Sequence, residues 1–205
     1  MHKRFEHSGQ LGAALFLLAL SLSGCADKKI SPEPFIASDI SGADFGRDFR
    51  LADHHGKIRT LADFRGKAVL LFFGYTNCPD VCLNILSELA TVQKRLGDDA
   101  ARVQVIFVTL DPARDTPEKL ANFVTYFNKD FLALYGDDAA IAGTAREFRV
   151  SYDKHDSGSA AGYLLDHSVG VYAFDPRGRL RLLINDGVDA ASIVHDVKLL
   201  LGEKT

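Results

Sequence analysis

The sequence predicts an α/β domain: a central sheet flanked by helices, with an N-terminal hairpin. Three observations predict it. Two continuous apolar runs of strand length, "KAVLLFFG" (67–74) and "RVQVIFVTL" (102–110), suit the buried centre of a sheet, where neither face meets water. Each is followed by a segment whose apolar residues recur at helical spacing. Towards the C-terminus the pattern changes to an antiparallel pair and one more helix.

The first residues stand apart from this domain. Lys3 and Arg4 precede the apolar stretch "LGAALFLLALSL" (11–22). Twelve residues fall short of the about 20 needed for a helix to span a bilayer, and they suit the apolar core of a secretion signal. Leu22, Ser23 and Gly24 before Cys25 match the bacterial lipobox. Residues 1–24 are therefore expected to be a lipoprotein signal peptide, and Cys25 a lipidated first residue whose acyl chains hold the protein in the membrane. Residues 25–46, rich in Lys, Ser, Pro, Asp and Gly, read as a membrane tether or linker. The expected domain is 47–205. This places the protein in the bacterial cell envelope, lipid-anchored and facing the periplasm or the exterior. A net charge of −3 without a basic patch excludes nucleic acid as a partner.

Within the domain, "RDFRLADHHGKIRTLADF" alternates around Gly56 and predicts a hairpin. The run at 67–74 is the first central strand. Leu83, Leu86, Leu89, Ala90 and Leu96 mark one face of a helix over 82–96, and 102–110 is the next strand. Thr116 and Pro117 open a further helix as its cap and first residue. "FLALYG" (131–136) predicts a short strand and "DAAIAGTAREFRV" (138–150) a helix. "SVGVYAFDPRGRLRLLI" (168–184) predicts a hairpin turning at Asp175 to Gly178, and "DAASIVHDVKLLL" (189–201) the closing helix. Alternating βα units followed by an antiparallel pair and a last helix resemble a thioredoxin-like fold. In that fold redox cysteines open the helix after the first central strand, where Cys78 and Cys82 fall.

Two cysteines four apart on a helix share a face, with Cα atoms about 6 Å apart. That lies within the disulfide range of roughly 4.4–6.8 Å. It also lets two sulfurs converge on one ion at about 2.3 Å. A structural staple, a redox couple and a metal site are all geometrically open. A bridge closing so short a loop contributes little entropy. The helix N-terminus favours thiolate at the first cysteine. Two thiolates this close repel, so one keeps its proton unless a cation lies between them. Monovalent copper, which prefers soft sulfur ligands, would remove that conflict.

A third ligand separates metal from redox chemistry. His54 and His55 lie in a hairpin turn and are expected to be solvated. His155 lies in the polar loop "YDKHDSGSAAG" (152–162), and His195 is expected on the surface of the last helix. His167, in "YLLDHSVGVYAF", stands where a thioredoxin-like fold turns a loop towards its cysteines. Thioredoxins place a cis-proline there; this chain has Asp166, His167 and Ser168.

"GYTNCPDVC" (74–82), "TLDPARDTPE" (109–118) and "DHSVGVYAFDPRG" (166–178) occur in an order and spacing that resemble the SCO/SenC proteins, roughly over residues 35–202. The resemblance implies a thioredoxin-like copper metallochaperone that assists assembly of cytochrome c oxidase. It implies one copper per chain, Cu(I) or Cu(II), held by Cys78, Cys82 and His167. The implied acceptor is the dinuclear copper centre of oxidase subunit II, or another copper acceptor. Asp111, Arg114 and Asp115 match the middle motif, with a structural or partner-surface role expected. Leu83 stands where family chains often carry proline. A peroxiredoxin motif would need proline and threonine or serine at the positions of Leu71 and Tyr75, so peroxide reduction is not expected. The rival expectation is an enzyme, a thiol–disulfide oxidoreductase that keeps the acceptor's cysteines reduced, with Cys78 attacking and Cys82 resolving.

Overall fold

The structure, a computed structural model, describes residues 35–159 and 162–202. The expected signal peptide and Cys25 lie outside these residues. In chain order the elements are β1 (Ser38–Asp39), β2 (Leu51–Asp53), β3 (Ile58–Arg59), β4 (Ala68–Gly74), α1 (Val81–Leu96) and β5 (Val103–Thr109). There follow α2 (Pro117–Phe127), β6 (Leu132–Tyr135), α3 (Asp138–Glu147), β7 (Tyr152–Ser159) and β8 (Gly162–His167). The chain closes with β9 (Val171–Phe174), β10 (Leu180–Ile184) and α4 (Ala190–Gly202). Among the described residues, eight strands form one sheet in the order β1-β10-β9-β4-β5-β6-β2-β3, while β7 and β8 pair only with each other. This is the α/β, thioredoxin-like architecture that the sequence predicts, with the hairpin β2–β3 at one edge.

The centre of the sheet follows from composition. Every residue of β4 is buried, as a strand covered on both faces requires. It runs parallel to β5, from Ala68 opposite Val103 to Gly74 opposite Thr109. On its other side β9 is antiparallel, with Phe72 opposite Val171. Leu86, Leu89 and Val92 of α1 and Ile193, Val197 and Leu200 of α4 complete the core on helices that pack together. The α2 cap forms as expected, Thr116 accepting a hydrogen bond from the Lys119 amide at 3.3 Å.

The β2–β3 and β9–β10 hairpins are each clasped by a buried aspartate. Asp53 accepts from the amides of His55 (3.0 Å) and Lys57 (2.9 Å) and from Arg59 Nε (2.7 Å). Asp175 accepts from the amides of Arg177 and Arg179 (3.0 Å each) and from Arg179 Nε (2.7 Å). A buried carboxylate that takes several N–H donors stays ionised and ties the turn to its strands.

Two segments differ from expectation. Residues 35–46, read from composition as tether, belong to the folded domain: Phe35 and Ala37 are buried, and β1 pairs with β10. The physical reason lies in α4, far along the sequence. The buried carboxylate of Asp196 accepts from the amides of Ile36 (2.9 Å) and Ala37 (2.8 Å). Residues 152–159, expected as part of a polar loop, form β7, which pairs with β8, with Tyr152 opposite His167.

Asp196→Ala should therefore loosen the start of the domain. Two buried amides would lose their acceptor, at a cost of about 1–3 kcal/mol each if left unpaired. Hydrogen exchange should accelerate at Ile36, Ala37 and Ile40, with a lower Tm. Unchanged protection at these amides would show that β-pairing alone holds the segment.

Candidate metal centre

The site begins where β4 stops. A Cβ at Gly74 would lie 2.9 Å from Cys82 Sγ and 2.9 Å from Phe107 Cε2. Only glycine lets the sulfur rest against the strand. The loop that follows is tied down by Asp115, which accepts from the Thr76 amide (3.0 Å), Thr76 Oγ1 (2.5 Å) and Thr109 Oγ1 (2.6 Å). Asp80 then starts α1, its carbonyl accepting from the amides of Leu83 (3.0 Å) and Asn84 (3.1 Å). Cys78 lies just outside the helix and Cys82 within its first turn. The helix cannot include Cys78, because Pro79 disfavours helical backbone in the residue before it. The two sulfurs thus face each other across the helix entrance, not along a helical face. The Cys82 amide points at Cys78 Sγ, 3.4 Å away. Neither cysteine is in a disulfide.

The third group arrives on β8. His167 Nδ1 lies 2.9 Å from the Ser168 carbonyl oxygen. A carbonyl only accepts, so Nδ1 carries a proton and Nε2 faces the sulfurs, 3.7 Å from Cys82 Sγ. The ring stands edge-on to Tyr75, with centroids 6.1 Å apart, and 6.3 Å from Phe72. Among the described residues, Cys78, Cys82 and His167 form the one group whose ligand atoms could hold a metal ion, all within 4.8 Å of one another.

The charges are unequal. The hydrogen bond from the Cys82 thiol is the main reason that Cys78 is pushed down to about 4; His167 and the amides of Cys82 and Asp80 act the same way. That bond and burial push the Cys82 thiol up. Burial works to lower His167, but the Cys78 thiolate and the Ser168 carbonyl outweigh it and leave it raised. At rest the site holds one thiolate, one thiol and a histidine biased towards imidazolium. A cation among the three atoms would displace the Cys82 proton and any proton on His167 Nε2. Trigonal donors about 2.3 Å from an ion sit about 4 Å apart, so the three groups fit with little movement.

Among the described residues, the other histidines stay outside the site. His54 Nδ1 accepts from the Ala133 amide at 3.1 Å, which ties the hairpin turn to β6, and His55 is exposed beside it. His155, on β7, lies 3.4 Å from Asp166. His195 is exposed and lies beside Asp196. Tyr75 is a member of the site that the sequence did not single out. Its hydroxyl accepts from the Leu165 amide at 3.2 Å while its ring walls His167. The only sequence signal for it was its place directly after the buried run of β4.

The SCO1/SenC family model matches residues 37–202, a span that contains all three ligand candidates. The chain belongs to the SCO1/SenC family. Among similar proteins, the mitochondrial SCO2 homolog of Bos taurus is 41% identical over 133 residues, 64% of this chain and 50% of the bovine protein. The chain thus spans about half the length of that relative. Bradyrhizobium japonicum ScoI, solved with copper bound, superposes with a TM-score of 0.70 at 36% identity, covering 77% of this chain and 99% of that one. Apo Sco1 from Thermus thermophilus gives 0.72 at 35% identity, over 81% and 96%. The SCO family likeness therefore covers the whole sheet that carries the site.

The inequality of the thiols is measurable. Iodoacetamide should modify Cys78 in the folded SCO domain at a rate nearly constant from pH 9 to pH 5, falling as the pH drops through about 4. An ordinary thiol loses rate below about 8.5. Cys82 should stay unmodified throughout. A Cys78 rate that climbs through pH 8 to 9 would contradict the assigned thiolate.

Proposed function

We propose that this SCO-family protein is a membrane-anchored copper metallochaperone that carries one copper per chain. The observation that carries this reading is the convergence of two sulfurs and one imidazole nitrogen within 4.8 Å. Two thiolates and an imidazole suit copper(I), a soft ion that tolerates low coordination. Copper(II) would need the imidazole and an added oxygen ligand. The similar Bradyrhizobium japonicum ScoI holds copper, which supports copper as the cargo here. The acceptor we propose is the dinuclear copper centre of cytochrome c oxidase subunit II, or another copper acceptor, on the family resemblance. Transfer proceeds by ligand exchange, the acceptor's sulfurs replacing this protein's one at a time.

The inequality of the cysteines favours a second reading. A stabilised thiolate at Cys78 beside a protonated Cys82 suits a dithiol that attacks a disulfide and then resolves it. The protein would then be a thiol–disulfide oxidoreductase that keeps the acceptor's cysteines reduced. Copper loading itself needs reduced thiols, so one site can serve both roles.

His167 separates the two. The reduced domain should bind one copper(I), and oxidation of Cys78 and Cys82 to a disulfide should abolish binding. His167→Ala should keep copper(I) at lower affinity and lose stable copper(II), yet still cycle between dithiol and disulfide. Parallel titrations with both copper states, plus thiol counting after mild oxidation, measure this. Unchanged affinity for both states would remove His167 from the site and put the oxidoreductase reading first.

The anchor is proposed on the lipobox alone. The expressed full chain should partition with membranes of the bacterial envelope, and Cys25→Ser should block lipid attachment. A wild-type protein recovered in soluble form and cleaved elsewhere would overturn it.

A further inference from the structure

The imidazole of His167 is delivered by a hairpin that joins no other strand among the described residues. A lone two-stranded hairpin is marginally stable in water, so its seating depends on side chains. Tyr163, Leu165 and His167 alternate along β8 and share one face; Leu165 between them is buried, whereas Asp166 is exposed. Leu165 is held by Tyr75, as described. Tyr163 is held by the middle motif, which the copper-site reading leaves without a role.

The fastening at Tyr163 is two-sided. The guanidinium carbon of Arg114 lies 3.6 Å from the centre of the Tyr163 ring, and Arg114 Nη1 donates to the Tyr163 carbonyl at 2.8 Å. The Tyr163 hydroxyl donates to Asp111 Oδ1 at 2.5 Å, while Arg114 Nε pairs with Asp111 Oδ2. Asp111 is buried. The same guanidinium lies 5.8 Å from the ring of Tyr75, which walls His167. Stacking and a fork to a carbonyl and a carboxylate are what arginine offers and lysine does not.

We propose that Arg114, clamped with Asp111 onto Tyr163, is the positioning residue that sets where the His167 imidazole stands relative to the two sulfurs. Tyr163 and His167 are four residues apart on one strand, about 13 Å. Releasing the Tyr163 end lets the strand pivot and moves the imidazole by more than the about 0.2 Å that metal–ligand bonds tolerate. The consequence for copper rests on the carrier reading above; the seating of the ring does not.

The test compares wild type, Arg114→Met and Tyr163→Leu. In the metal-free domain, the His167 ring proton resonances report its place beside Tyr75. Both variants should shift them towards the values of an exposed histidine, with unchanged circular dichroism. Their copper(II) affinity should fall about 10- to 100-fold, the range for losing a group that orients a ligand. Copper(I) affinity should change much less, and the copper(II) spectrum should approach that of His167→Ala. If Arg114→Met fails to fold, with Asp111 left buried and unpaired, Tyr163→Leu, which keeps that ion pair, decides. Folded variants with unmoved ring resonances would overturn the proposal. So would moved resonances with copper(II) binding intact. If the wild type binds no copper, the carrier reading fails, and the resonances still decide the seating.

Discussion

Two sulfurs placed this close in a dry site cannot both carry charge unless a cation lies between them, and the surroundings of each follow from that restriction. Like charges 4 Å apart repel by about 4 kcal/mol even at an effective dielectric of 20, equivalent to about three pKa units. The fold resolves the conflict by giving the two cysteines opposite settings. Cys78 lies outside the helix, facing two amides and the imidazole, which stabilise a thiolate. Cys82 is fully buried against Gly74, where its hydrogen bond to Cys78 and then desolvation preserve the thiol. A metal-free site therefore holds protons that a three-ligand centre must give up: the Cys82 proton, and the share of a proton that His167 carries on Nε2. Loading releases them, so affinity for a cation rises with pH until both groups are deprotonated.

The three ligand atoms come from segments that the β4–β9 pairing brings near one another but does not itself fix. Buried carboxylates complete the joins. Asp115 holds the Thr76 loop to the end of β5, and Asp111 holds β8 to the turn that follows β5. Asp196 and Asp53 do the same at the two ends of the sheet. Hydrogen bonds to a charged group contribute about 1.5–3 kcal/mol each, enough to order a short loop that has no apolar face of its own. The middle motif is thus part of the metal centre without touching the ligand atoms. It fixes the two loops whose separation decides whether the centre forms.

What could be read in the sequence was what periodicity encodes. β4, β5 and α1 carry their burial in their apolar spacing, and Thr116 and Pro117 marked the start of α2. The cluster of Cys78, Cys82 and His167 could be read because two cysteines where a strand gives way to a helix face the segment that holds His167. The β7–β8 hairpin was hidden because "YDKHDSGS" carries no apolar alternation; apart from Tyr152, its packed residues come from β8. β1 was hidden because two residues cannot show a period, and its anchor, Asp196, lies some 160 positions away. Arg114 was visible as part of a motif, but its partner Tyr163 was not, since stacking across 49 positions leaves no local trace.

The exposure of the ligands also orders any exchange at this centre. The opening beside the site is lined by Tyr75, Cys78, Pro79, Val81, Leu164 and Val169, mostly apolar surface, with Asp80 and Asp166 at its edge. Cys78 borders this opening, whereas Cys82 has no exposed surface. An incoming thiolate must enter past Cys78 and His167, so their bonds are replaced first if copper is the cargo. Cys78 can leave easily, because its thiolate is stabilised without a metal. Cys82 cannot leave as readily in a buried apolar wall until it regains a proton. For a copper cargo the last step of release would then be protonation of Cys82, whose buried setting favours the thiol once the other two ligands have been exchanged.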